Sequence, residues 1–86
     1  MPPRHQTLQT ASQLGLLLLS ARKARKMSQT SLASRVGLSQ PRLSHLEQNA
    51  SQISVEQLMA WCSALGLEIA ISPRDNVAEL ATQTDW

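Results

Sequence analysis

Residues 28–48 read SQTSLASRVGLSQPRLSHLEQ, and this stretch decides the fold. Gly37 divides it in two. On one side Leu32 and Val36 recur at helical spacing behind Ser28, and on the other Leu43 and Leu46 recur behind Ser39. A serine in that place caps a helix, because its hydroxyl accepts one of the backbone N–H groups that the first turn leaves free. Gly37 suits the left-handed position that ends a helix. Pro41 falls within the first turn of the second helix, where a missing N–H matters little. The pattern predicts two short helices, residues 29–36 and 40–48, joined by Gly37-Leu38-Ser39. Ala33 is small and lets the two approach closely. Leu32, Val36, Leu38, Leu43 and Leu46 are expected to face inward.

The same start signal recurs along the chain. Met27, Leu38 and Ile53 each precede a serine, and each has a leucine five places on, at Leu32, Leu43 and Leu58. These are hydrophobic staples, which set the angle at which the chain enters a helix. The third predicts a helix over residues 55–65, with Gln57 completing a capping box on Ser54 and Gly66 closing it. Its expected inner face is Val55, Leu58, Met59, Cys62 and Leu65, with Trp61 at the edge or in a dimer contact. Upstream, Thr10 and Gln13 form another capping box, opening a helix that runs to about residue 26. Leu14, Leu17, Leu18, Ala21 and Arg25 share one side of it. Residues 1–9 read as an arm and residues 10–66 as the domain.

After Gly66 the period changes. Leu67, Ile69 and Ile71 alternate with Glu68 and Ala70, which predicts a short strand. No other stretch reads as a strand. A lone strand leaves its ladder groups unpaired, so the expected partner is the same strand of a second copy. The strand segment spans residues 67–72. Residues 73–86 are polar and read as a loose tail.

Composition narrows the possibilities. The chain has 86 residues and is 42% hydrophobic, which suits one small domain. Its aromatic side chains are two tryptophans, Trp61 and Trp86, so the core must be aliphatic. Cys62 stands alone, which points to a buried thiol rather than a disulfide or a metal cluster. His5 and His45 are too isolated to hold a metal. No nucleophile–base pattern or phosphate-cradling glycine loop is present, so neither enzyme activity nor a cofactor is expected. The apolar run at residues 14–19 is too short to span a bilayer, and the first residues lack a signal-type apolar stretch, so a cytoplasmic protein is expected. Charge is lopsided: residues 1–46 hold seven basic side chains and no acidic one, whereas residues 47–86 hold Arg74 and six acidic ones. A basic half of this kind suggests a polyanionic partner.

The polar face of the second short helix fits that partner. In a helix-turn-helix the first helix crosses the phosphate backbone, and the second enters the major groove leading with its N-terminal residues. Gln40, Pro41, Arg42, Ser44 and His45 are the candidate base-reading residues, with Gln48 on the same exposed face. Glutamine can pair with adenine and arginine with guanine through two hydrogen bonds each. Ser28, Gln29, Arg35 and Ser39 are candidate phosphate contacts, the first two at a helix N-terminus that favours an anion.

Residues 22–65 resemble the Xre/Cro-type helix-turn-helix family, with Gln29, Leu32-Ala33, Gly37 and Ser39-Gln40 as the marked positions and 43–47 as the following segment. The resemblance implies a mainly α, lambda-repressor-like domain of four to five helices, here with one C-terminal β-strand pairing across a homodimer. It also implies that Arg22 pairs with Glu47 as a structural ion pair. The layout of arm, helices, strand and terminal tryptophan further resembles the HipB antitoxins. That likeness implies a homodimeric repressor that binds double-stranded operator DNA, autoregulates its operon and binds a HipA-type Ser/Thr kinase toxin, in the bacterial cytoplasm and on the nucleoid when bound. Leu16, Leu19 and Trp86 are then possible toxin contacts. The alternatives are a stand-alone phage-type or housekeeping repressor, and a protein-interaction module whose helix pair no longer meets DNA.

Overall fold

A computed structural model describes residues 7–73. Its elements are α1 (Ala11–Ala24), α2 (Gln29–Val36), α3 (Gln40–Gln48), a single 3₁₀ turn (Ala50–Gln52) and α4 (Val55–Leu65). Each α-helix starts from a side-chain cap. Thr10 Oγ1 accepts from the Gln13 N–H, Ser28 Oγ from Ser31, Ser39 Oγ from Arg42 and Ser54 Oγ from Gln57. Gln13 and Gln57 return the bond to the cap backbone, so both capping boxes are complete. Gly37 and Gly66 close α2 and α4 with φ of 75° and 71°, a region that side chains with a Cβ enter only under strain. Four short helices are thus bounded by local chemistry before any packing is counted.

Packing supplies the rest, because helices of eight or nine residues are marginal alone. Helix α2 packs on both α3 and α4, while α1 lies on α3, the 3₁₀ turn and α4. The centre holds Leu18, Leu32, Leu43, Leu46, Trp61 and Leu65, all almost completely buried, with Ala33 and Cys62 beside them. Met27, Leu38, Ile53 and Leu58, the residues of the staples, pack against that centre. Burial pushes the Cys62 thiol up from its ordinary pKa, which disfavours the reactive thiolate.

Several expectations are corrected. Helix α1 ends at Ala24 rather than near residue 26. Lys26 turns left-handed at φ 55°, which brings the Met27 N–H back to the Arg22 carbonyl at 3.1 Å and sends Met27 toward the core. Arg25 is exposed instead of lying on the inner side, and its guanidinium sits over Gly66. Gly15 takes an inward place. A Cβ there would stand 3.1 Å from the Glu47 carbonyl oxygen, so the glycine lets α1 approach the end of α3. On α4, Val55 and Met59 are 73% and 61% exposed, while Trp61 is fully buried. The inner face is Leu58, Trp61, Cys62 and Leu65, rotated from the expected stripe. Trp61 Nε1 finds no hydrogen-bond partner among the described residues.

Residues 67–71 form no strand. A strand needs a ladder partner, and no other described segment supplies an edge. Leu67 packs against the core and its N–H reaches the Cys62 carbonyl at 2.8 Å, continuing the turn that closes α4. Glu68, Ile69, Ala70 and Ile71 are exposed. The arm residues 1–6 and the tail 74–86, with Trp86, lie outside the described residues.

Candidate nucleic-acid interface

The polar face of α3 is open. Gln40, Pro41, Arg42, His45 and Gln48 are exposed and Ser44 is half-buried. The opposite face puts Leu43 and Leu46 into the core, so the helix is held from behind and offers its polar side outward. Gln40 and Pro41 open the helix, which places them at the leading end of a helix that would enter a groove. Ser39 Oγ accepts the Arg42 N–H as the cap, which leaves its own O–H, beside the Gln40 N–H, as a donor toward an anion. Pro41 has no N–H to add.

Behind α3 lies a buried ion pair. Arg22 Nε donates to Glu47 Oε2 at 2.7 Å and Nη2 donates to Oε1 at 3.3 Å. Arg22 Nη1 also donates to the Met27 carbonyl at 2.9 Å. One guanidinium from α1 therefore ties the end of α3 to the loop that leads into α2. The side chains of Arg22 and Glu47 are only 11% and 4% exposed. A charge so buried is held only because its partner and hydrogen bonds satisfy it.

The pair does not stop there. Gln29 Nε2 donates to Glu47 Oε1 at 2.9 Å, and Gln40 Nε2 donates to Gln29 Oε1 at 2.8 Å. The first residues of α2 and α3 are thus joined to each other and to the buried carboxylate. Gln29 is half-buried and Gln40 exposed. The residue patterns gave Gln29 and Gln40 separate roles and did not join them; the signal available was that both open their helices. One N–H of Gln29 is left over after the bond to Glu47.

His45 is held differently. Its Nε2 lies 3.1 Å from Gln52 Oε1, and its Nδ1 lies 3.5 Å from Asn49 Nδ2. Asn49 Nδ2 also donates to the His45 carbonyl at 2.8 Å. A neutral ring with its proton on Nε2 satisfies both contacts. His45 faces solvent but both ring nitrogens already have partners, so it is tied to the 3₁₀ turn. Arg35, late in α2, and Ser28, its cap, are exposed. Leu16 is 65% exposed and Leu19 half-buried on the outer side of α1. Leu8 and Leu16, with Thr7, Gln13, Leu17 and Ser20, line a shallow open groove there. Among the described residues no group of three or more His, Cys, Asp or Glu side chains could hold a metal ion, and no helix is long and apolar enough to cross a membrane.

Two short helices at a glycine turn, the second open on its polar face and braced from behind by a third, define a helix-turn-helix domain. The helix-turn-helix family pattern matches residues 18–71, and the chain belongs to that family. It is also 39% identical over 57 residues to an uncharacterized HTH-type transcriptional regulator, y4dL, of Sinorhizobium fredii. That match covers 66% of this chain and 29% of the relative, so the chain spans under a third of the relative's length.

Proposed function

We propose that the protein is a sequence-specific DNA-binding transcriptional repressor. The observation that carries this reading is the α3 face: Gln40 and Arg42 stand exposed at the start of a helix whose back is locked into the core. Gln40 and Arg42 read base edges in the major groove, with Pro41, Ser44 and His45 alongside. The N-terminus of α2 at Ser28 and Gln29, with Arg35 and Ser39, meets phosphates. Basic side chains outnumber acidic ones throughout the first half of the chain, which favours approach to a polyanion.

The protein works as a pair in this reading. Residues 67–71 of two copies pair, which gives each segment the ladder partner it lacks in one chain. Two recognition helices then meet half-sites about 34–36 Å apart on one face of a palindrome. The resemblance to the HipB antitoxins extends the reading to an autoregulated operon and a HipA-type kinase toxin, for which exposed Leu16, half-buried Leu19 and Trp86 are the contact candidates.

The test is selection from a pool of random-sequence duplexes, followed by titration at several salt concentrations. A palindromic site should emerge, and log affinity should fall with log salt at a slope of about 0.9 per phosphate neutralised. Absence of any selected site would overturn the reading. Co-purification from the native host separates antitoxin from stand-alone repressor, since only the former brings down a kinase-like protein.

A further inference from the structure

We infer that DNA binding takes up a proton at His45: the neutral ring is held against the turn after α3, and the imidazolium turns outward to meet DNA. The inference rests on the reading of α3 as the helix that enters the groove, and it makes affinity depend on pH.

Hydrogen-bond polarity fixes the ring in the free protein. A backbone carbonyl can only accept, so the bond from Asn49 to the His45 carbonyl at 2.8 Å comes from its NH₂ group. The same Nδ2 lies 3.5 Å from His45 Nδ1, which therefore faces a donor and serves as an acceptor. The ring proton then sits on Nε2, which donates to Gln52 Oε1 at 3.1 Å. A second proton, on Nδ1, would set N–H against N–H. Asn49 is also held by the backbone carbonyl, so the ring is the partner that leaves. Nothing encloses it, because His45 and Gln52 are both exposed. Pro41 and Arg42 stand four and three residues earlier on the same helix, and residues so spaced share a face. An imidazolium turned onto that face carries a positive charge and two N–H donors, which suit phosphate oxygens and the N7 and O6 of guanine alike.

The protein itself offers that charge no carboxylate. The elements packed against α3 are α1, α2 and the 3₁₀ turn. Helix α1 brings Arg22 and Lys23, α2 brings Arg35, and the turn brings no charged side chain. On α3 itself Arg42 is basic, and Glu47 is buried in its pair with Arg22. Glu56, exposed at the start of α4, makes no ion pair with His45. Negative charge for the imidazolium thus arrives with the DNA. A complex that binds more protons than its free components tightens as pH falls, and histidine changes charge within the range where proteins stay folded.

The test is affinity for a selected duplex from about pH 8 to about pH 5.5 at constant ionic strength, with a thermal melt at each pH to confirm folding. Binding is expected to tighten about tenfold across that range, since one proton per chain can supply at most about tenfold per pH unit. His45→Gln keeps a hydrogen-bonding side chain that never titrates and should flatten the profile. His5→Gln, at the other histidine, should keep it. Imidazole NMR of the wild-type protein reads the same event without a variant: the midpoint of the His45 titration should move to higher pH when duplex is added.

A wild-type profile that is flat or weakens toward acid, a profile that His45→Gln leaves intact, or a midpoint that does not rise with duplex overturns the proton uptake while α3 stands as the reading helix. If the wild-type protein selects no site, or Gln40→Ala and Arg42→Ala leave binding to a selected site unchanged, the reading of α3 fails and the inference falls with it.

Discussion

Helices α3 and α4 start alike, each from a serine that follows an apolar residue, and they differ in what they turn outward. Helix α3 buries Leu43 and Leu46 and exposes glutamine, proline, arginine and histidine. Helix α4 buries Trp61, Cys62 and Leu65 and exposes Val55 and Met59. One helix is amphipathic in the ordinary sense. The other is apolar on more of its circumference than this core covers. The first face suits a charged, hydrogen-bonding surface. The second mixes Val55 and Met59 with Glu56 and Ser63, and its one charge is negative, so it offers nothing to a polyanion.

The largest effect that can separate the two helices is at Trp61. Trp61→Ala should lower stability by roughly 4 kcal/mol, as large aromatic truncations in a core do, measured by urea denaturation. A loss below about 1 kcal/mol would mean that α4 is not anchored through its indole. Glu47→Ala comes next. It strands the Arg22 guanidinium in a buried place, and roughly 3 kcal/mol of stability should go with it. The contrast within α3 is then Arg42→Ala, which should leave the urea midpoint alone and weaken binding to a selected DNA site about tenfold. If Arg42→Ala instead weakens random and selected duplexes equally, its contact is to phosphate.

The two closing glycines give a finer comparison. A Cβ on Gly37 would meet nothing within 4 Å, so Gly37→Ala should cost only the left-handed strain, about 1–2 kcal/mol. Gly66→Ala adds the displacement of the Arg25 guanidinium to the same strain and should be the more damaging of the two. Equal midpoints for the two variants would show that Arg25 moves aside freely. The smallest effect belongs to Val55→Ser and Met59→Ser, which should change monomer stability by no more than about 0.5 kcal/mol. A larger loss that grows with protein concentration would reveal that another chain covers this face.

The same contrast explains what the sequence made legible. Caps and left-handed glycines are local devices. Thr10, Ser28, Ser39 and Ser54 each act on a backbone N–H three residues away, and Gly37 and Gly66 act on their own φ, so boundaries could be read directly. The two leucines of α3 have polar neighbours on both sides, so its inner face was unambiguous. Helix α4 reads VEQLMAWCSAL, with apolar residues in most places, and its periodicity fits two stripes rotated by a fraction of a turn. The packing of α2 and α1 against it selects the stripe with Trp61. Gly15 and Arg25 were opaque for a related reason, because each is explained by a distant backbone, at Glu47 and at Gly66. The reading face of α3 was visible, but the bonds joining Gln29, Gln40 and Glu47 depend on three elements meeting in space. The alternation in residues 67–71 predicted a strand, and these residues take none, because no other described segment offers them a ladder partner.

The burial of Trp61 has a consequence for optical work. The chain contains no tyrosine and no phenylalanine, so its near-ultraviolet absorbance and fluorescence come from two indoles. One of them sits in an aliphatic interior with no partner for its Nε1 among the described residues, a setting that favours emission at short wavelength. Replacing Trp86 by an aliphatic residue would leave a single fluorophore at the contact of α4 with the rest of the domain. Its shift to longer wavelength would follow the opening of that contact directly, while groove binding on the α3 side would leave its colour unchanged.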